Sequence, residues 1–195
     1  PHVHRRQAWS GIGPLIPYLL TTAGVYAAAW MAIVQGSLLM SANGITDPSI
    51  QATVISISTI PYTLTASACA WIETRLTKSW TLAVSLLAMA AGVTIMGAIP
   101  TVWGAALGCF VLGTGSGLSS TYVLLIVVER APAAVRERAV GLIGPSHYVG
   151  QLANPAIVHS LRLLIGIQGA FVGVGRILIA SAALAARYRA PVSQR

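Results

Sequence analysis

The stretch RERAVGLIGPSHYVGQLANP, residues 136–155, decides how the rest of the chain is interpreted. Three charged residues open it, and no Asp, Glu, Lys or Arg follows until Arg162. His147, Gln151 and Asn154 interrupt the apolar run at spacings of four and three, which places them on one face of a helix. A charged loop leading into an apolar helix with one polar stripe is the pattern expected where a solute crosses a bilayer.

The composition of the whole chain indicates a membrane protein. Of its 195 residues 55% are hydrophobic and 8% are charged, whereas a soluble domain carries about 25% charged residues. The net charge of +8 does not predict nucleic-acid binding, because the basic residues are scattered through short loops and form no continuous face. Cys69 and Cys109 lie within apolar segments, so neither a disulfide nor a metal site is expected.

Six segments carry little or no charge, and each is near the ~20 residues that a transmembrane helix requires. They lack the alternation of polar and apolar residues that marks the strands of an outer-membrane barrel. Each segment must satisfy its own backbone hydrogen bonds in lipid, which predicts helices. The segments are Pro14–Met40, Ile50–Ile72, Trp80–Ile99, Thr101–Val128, Ala139–Leu161 and Gln168–Ala186.

The basic residues predict an orientation. Ten of the twelve Lys and Arg residues fall before the first segment or after the second, fourth and sixth, and only Arg162 falls in the opposite loops. The positive-inside rule then predicts a multi-pass protein of the inner or plasma membrane with both termini in the cytoplasm. The turn SANGITDPS, residues 41–49, is expected on the outer side, with Asp47 capping the second helix ahead of Pro48.

These boundaries divide the chain into three parts. Residues 1–13 are expected to form a cytoplasmic linker, residues 14–186 a transmembrane bundle, and residues 187–195 a basic cytoplasmic tail. The chain starts at Pro1 without the pattern of a signal peptide, so we expect it to be a piece of a longer protein.

Two loops and two helix starts occur in an order typical of a transporter family. The loop AWIETRLTKS, residues 70–79, follows the pattern G-x-L-A-D-R-x-G-R-R at Ile72, Arg75 and Lys78, although Thr74 stands in place of Asp. VERAPAAVRERAVGL matches a loop of Glu, Pro and then Arg-x-Arg-Ala-x-Gly-Leu, and YVGQLANP matches its continuation G-Q-x-x-x-P. GITDPSIQATVISI and GAFVGVG resemble two helix entries of the same family. On these residues the chain resembles the C-terminal six-helix half of a major facilitator superfamily transporter.

The resemblance implies an all-α membrane protein in which six transmembrane helices form one half-bundle, built from two inverted three-helix repeats. It implies a secondary active transporter that moves a small solute by alternating access, with proton-coupled efflux of amphipathic compounds as the commonest activity. The expected partners are the lipid bilayer, the solute, and an N-terminal six-helix half or a second copy of the chain; no cofactor is expected. The cytoplasmic loop residues that the resemblance selects are Arg75, Lys78, Glu129, Arg136 and Arg138.

The polar stripe of the fifth segment is the first candidate site. His147, Gln151 and Asn154 either line a solute pathway or form hydrogen bonds with neighbouring helices. His147 is the residue of the three that can accept a proton near neutral pH. We therefore expect His147 to take part in solute or proton handling.

An aromatic stripe on the first segment is the second candidate. Tyr18, Tyr26 and Trp30, together with Thr22, recur at four-residue intervals and share one face. They either meet an apolar or aromatic solute, as the resemblance implies, or form an ordinary lipid-facing or core surface. Arg176 in the sixth segment is a third candidate, which either serves the pathway or extends its side chain towards the outer surface.

Other function classes remain as alternatives. The run GTGSG, residues 113–117, lacks the Lys-Ser/Thr of a phosphate-binding loop, so its glycines are expected to serve close helix packing. Ser116 followed by Gly117 invites comparison with an intramembrane serine protease of the rhomboid type, with His147 as its base. A non-transporting scaffold or a truncated relic is the third alternative. We expect no enzymatic activity.

Overall fold

The computed structural model describes residues 13–76 and 78–187, but not the side chains of Pro14, Lys78 and Ser79. The all-α class is confirmed, since the elements within these ranges are helices joined by short turns, with no strand. The predicted linker, apart from Gly13, and the predicted tail beyond Arg187 lie outside the described residues. The helices are α1 Ile16–Ala42, α2 Pro48–Ser56, α3 Thr59–Arg75, α4 Lys78–Ala98, α5 Val102–Arg130, α6 Arg136–Gly141 and α7 Ile143–Arg187.

Four helical stretches are long and apolar enough to cross a membrane, which is compatible with the predicted membrane protein. Large apolar side chains cover their outer surface, among them Trp103, Leu152 and Leu164, which are 84%, 78% and 80% exposed. Such exposure would be costly in water and is normal in lipid. The four stretches are Ile16–Ala42, Trp80–Ala98, Val102–Arg130 and Ala133–Arg187.

The predicted second segment is divided into α2 and α3. Pro61 has no amide hydrogen, so it cannot donate to the carbonyl of Ile57, and its ring disfavours a regular helix there. The chain turns at residues 57–58, and neither α2 nor α3 is among the helices long and apolar enough to cross a membrane. Asp47 caps α2 as predicted, because its Oδ1 accepts from the backbone nitrogen of Ser49 at 2.8 Å.

Helix α7 contains most of the predicted fifth segment, whose start lies in α6, and all of the sixth, and the two separate at Gly166. This glycine has φ 74° and ψ 172°, a conformation that only glycine adopts readily. The first arm (residues 143–165) packs on α1, where Gly150 meets Ala23 and Asn154 meets Ala27. The second arm (residues 167–187) returns along α4, where Phe171 meets Gly97 and Gly175 meets Thr94. The chain therefore reverses direction at Gly166.

Glycines bring α4 and α5 into backbone contact. A Cβ added at Gly92 would lie 2.5 Å from the Leu112 nitrogen, and one added at Gly115 would lie 2.5 Å from the Ser85 carbonyl oxygen. No side chain fits at either position, so the two helices can pack closely only as the sequence stands. An apolar core that includes Met31, Met89 and Phe171 surrounds this contact.

The two ends of the bundle differ in charge. The basic end gathers the start of α1 with the ends of α3 and α5 and with α6, and the guanidinium of Arg130 lies 5.3 Å from the Tyr18 ring centroid. The turn end holds residues 43–47, 99–101 and 166, and Gln168 Nε2 donates to Asn43 Oδ1 at 2.7 Å. A second apolar cluster, with Leu15, Cys69 and Tyr122, lies at the basic end.

Candidate functional site

Aromatic side chains of α1 and α7 meet where the two helices pack. The rings of Tyr26 and His147 are stacked, with centroids 3.5 Å apart and planes inclined by 16°. Trp30 lies beside them and donates from Nε1 to His147 Nε2 at 3.1 Å. Tyr148 also lies beside the histidine, at a centroid distance of 5.4 Å. We call Tyr26, Trp30, His147 and Tyr148 the aromatic cluster.

A pair of hydroxyl groups extends the aromatic cluster to α3 and α5. The Tyr62 hydroxyl of α3 and Ser120 Oγ of α5 are 3.1 Å apart, and Tyr26 interacts with both side chains. Tyr62 and Tyr148 are 37% and 63% exposed, so the group opens to one side of the described chain. The aromatic cluster and this hydroxyl pair together form the candidate site, which takes residues from four helices.

The chemistry of the candidate site is aromatic and neutral. Its rings offer stacking surfaces, and its hydroxyl, indole and imidazole groups offer hydrogen bonds. Helix α1 and residues 139–161 contain no Asp, Glu, Lys or Arg, so neither helix places a permanent charge beside His147. The site can therefore hold a planar or amphipathic molecule and can take up a proton on His147.

The predicted polar stripe divides between two environments. His147 belongs to the candidate site, and Gln151 is half-buried one turn further along α7. Asn154 is 2% exposed, and its Nδ2 donates to the Ala27 carbonyl oxygen at 2.6 Å. Asn154 therefore joins α7 to α1, which is the alternative role that the sequence left open for it.

The predicted aromatic stripe also divides. Tyr26 and Trp30 lie in the candidate site, whereas Tyr18 lies at the basic end below Arg130. Thr22 is buried between them and donates to the Tyr18 carbonyl at 2.9 Å. A stripe with a four-residue period drifts around the helix, so its ends reach different neighbours.

The predicted loop residues lie at the basic end. The guanidinium of Arg75 sits over the Trp71 ring at 5.5 Å. Glu129 ends α5 next to Arg130, while Arg136 and Arg138 are exposed on α6. Lys78 opens α4, and its side chain lies outside the description.

The residues considered for other roles lie apart from the candidate site. Gly113 and Gly117 face the Ser58 and Tyr62 carbonyls, so they serve the predicted close packing of α5 on α3. Ser116 donates to the Leu112 carbonyl at 2.7 Å, while the His147 Nε2 accepts from Trp30, so the two are not paired as a protease would need. Arg176 is exposed on the outer side of the second arm of α7.

Tyr62 and Ser120 are missing from the sequence-based prediction. The polar run Ser119–Tyr122 in the middle of an apolar helix is the signal that could have pointed to Ser120. Tyr62 has a weaker signal, because no other aromatic residue stands three or four positions away from it.

A comparison with protein-family models, with curated proteins and with solved structures finds no match.

Proposed function

We propose that this chain is one six-helix half of a secondary active transporter of the major facilitator type. In this proposal α2 and α3 together form one membrane pass, and the two arms of α7 form the last two. The half moves a small solute by alternating access, in the membrane orientation predicted from its basic residues. The observation that carries the proposal is the convergence of α1, α3, α5 and the first arm of α7 on one aromatic, neutral, partly open site.

Three of the helix pairings support two inverted repeats. The first arm of α7 packs on α1, and α3 packs on α5, while α4 packs on the second arm. If passes one, two and three are exchanged with passes four, five and six, the pairing of passes one and five becomes the pairing of passes four and two. The pairing of passes three and six stays the same. This is the pairing expected of two three-helix units related by a two-fold axis in the membrane plane.

A detail of the side chains repeats under the same exchange. Asn154 of the fifth pass donates to the Ala27 carbonyl of the first pass. The Thr65 hydroxyl of the second pass lies 3.0 Å from the Thr114 carbonyl of the fourth. Each of the two pairs thus has one polar side chain that meets the partner backbone, although the sequences of the repeats differ.

The proposed solute is an amphipathic compound with an aromatic or planar part. Stacking on Tyr26 and hydrogen bonding to Tyr62 and Ser120 would hold it, and His147 would provide the proton-binding group. No carboxylate is available in α1 or the first arm of α7 for tight recognition of a small cation. Affinity would then come from ring contact and burial rather than from ion pairing.

The test is flux of planar amphipathic dyes in proteoliposomes that contain the complete product of the gene, with and without a proton gradient. Flux is divided by the amount of protein in the membrane. His147→Ala and Tyr62→Phe should lower this normalised flux or alter its dependence on pH, while Trp103→Phe at the turn end should not. Identical normalised flux and pH profile in His147→Ala and the unchanged protein would contradict the proposal.

A further inference from the structure

The direction of one hydrogen bond fixes the protonation of His147. Trp30 Nε1 and His147 Nε2 are 3.1 Å apart. An indole nitrogen can only donate, so Nε2 must be the acceptor and carries no hydrogen. The single proton of the neutral imidazole then resides on Nδ1. A second proton would have to bind at Nε2, where the Trp30 N–H already points.

The groups around His147 do not relieve this opposition between Trp30 N–H and a protonated Nε2. Its ring is stacked on Tyr26 and flanked by Tyr148, which restricts rotation away from Trp30. Beyond Tyr26 lie Tyr62 of α3 and Ser120 of α5. These are the groups that face the imidazole from the packed helices, and all are uncharged near neutral pH. Two N–H donors would therefore oppose each other when His147 is protonated.

Trp30 is placed where a change in its bonding can alter the shape of α1. It directly precedes the π-helical turn Met31–Gln35, which separates two regular helical portions. Such turns interrupt the regular hydrogen-bond ladder and recur at functional sites. A side chain anchored to α7 at the first residue before the turn restrains the turn itself.

The two portions of α1 differ in part of their packing. The portion before the turn is joined to the first arm of α7 through Ala23 and Ala27. The portion after the turn packs through Gly36 against Ile55 of α2 and Met96 of α4, with a Cβ there 3.7 Å from each side chain. The π-helical turn therefore lies between two portions of α1 whose contacts differ.

We propose that Trp30 and His147 form a proton-sensitive latch on α1. A proton that binds His147 Nε2 breaks the Trp30 bond and frees the π-helical turn, so the two portions of α1 can change their relative angle. The latch deepens the proposed function, on which its role in transport rests. Its existence is a property of the chain and can be tested without transport.

The experiment uses purified protein in which Trp30 is the sole tryptophan. Ultraviolet resonance Raman spectra report hydrogen bonding of the indole N–H, and amide hydrogen exchange, corrected for its intrinsic pH dependence, reports opening of residues 31–36. Both are compared at about pH 8 and at about pH 4, on either side of the range in which histidines in proteins usually titrate. We expect the indole bond to be lost and exchange to become about tenfold faster, the factor that a hydrogen bond of ordinary strength provides. The tryptophans replaced by phenylalanine are Trp9, Trp71, Trp80 and Trp103.

Matched variants separate the latch from a general effect of acid. His147→Gln places an acceptor near the position of Nε2 that does not titrate, so the bond and slow exchange should persist at both pH values. His147→Phe keeps a ring for stacking without an acceptor, so exchange should be fast at both. His159→Gln changes an exposed histidine of the same helix and should leave the response intact.

Two results would overturn the latch. One is an indole bond that survives in acid, and the other is a pH response that His147→Gln does not remove. The protein with Trp30 as its sole tryptophan decides the first point without any change at His147, so a His147 variant that fails to fold leaves that test valid. If the Trp30 bond and the exchange rate respond to pH as expected but no solute flux is found, the proposed function is contradicted and the latch is not.

Discussion

At the residue scale, Gly150 and Asn154 join α7 to α1 in two different ways. A Cβ at Gly150 would overlap the Ala23 carbonyl, so Gly150→Ala should destabilise the bundle by about 1–3 kcal/mol through overpacking. Asn154→Ala should cost only about 0.6 kcal/mol, because it removes one interhelical bond together with a buried Oδ1 that has no partner among the described residues.

The measurement for this pair is unfolding in detergent micelles as the fraction of denaturing detergent rises. Gly144→Ala on the same helix is the matched control, since a Cβ at Gly144 would have no neighbouring atom within 4 Å. Equal midpoints for Gly150→Ala and Gly144→Ala would refute the role given to the close contact.

Part of the candidate site follows from sequence, and part depends on packing. Tyr26, Trp30 and His147 are predictable because polar and aromatic groups in apolar helices face protein or water, and their spacing puts them on single faces. Tyr62 contacts Ser120 only because the chain changes direction between α2 and α3 at residues 57–58 and α3 packs closely on the glycines of α5. Pro61 predicts a break, but no local rule gives the new direction of α3.

At the scale of elements, the turn between α1 and α2 and the start of α4 should face opposite sides of the membrane. The asymmetry of basic residues motivates this, because the turn end holds few of them and the basic end many. In intact cells, Asn43→Cys should react with an impermeant thiol reagent, and Lys78→Cys should react only after the cells are opened. The reverse labelling pattern would show that the predicted orientation is wrong.

The reversal at Gly166 gives a second prediction for an element. Space is available for a Cβ there, but φ 74° with ψ 172° disfavours every other residue, so Gly166→Ala should cost about 1–3 kcal/mol. Gly24→Ala is the control, because Gly24 also has open space but lies in regular helix, where alanine is favoured by about 1 kcal/mol. Unfolding midpoints that shift the same way in both variants would contradict the strain argument.

At the scale of the whole molecule, the proposed half should not transport alone. Tyr148 would otherwise present its hydroxyl group towards lipid, and Tyr62 with Ser120 would present a hydrogen-bonded polar pair. A hydroxyl group without a partner costs about 1 kcal/mol or more there. We expect an N-terminal half or a second copy of the chain to pack over these polar groups. Proteoliposomes that contain single copies of this chain should show no solute flux above that of empty vesicles, and robust flux by a demonstrated monomer would disprove the need for a partner.

The one-residue reversal of α7 also bears on how the chain enters the bilayer during synthesis. With no loop at Gly166, we expect the two arms to enter the bilayer together, as a single hairpin. Arg176 lies in the second arm. A charged residue at the centre of a helix raises the free energy of membrane insertion by about 2.5–3.5 kcal/mol, so the second arm should insert poorly when it enters alone. We expect glycosylation-tag mapping to find residues 167–187 inserted efficiently behind the first arm and poorly behind an unrelated soluble leader. Equal insertion in both settings would mean that the second arm needs no help from its neighbour.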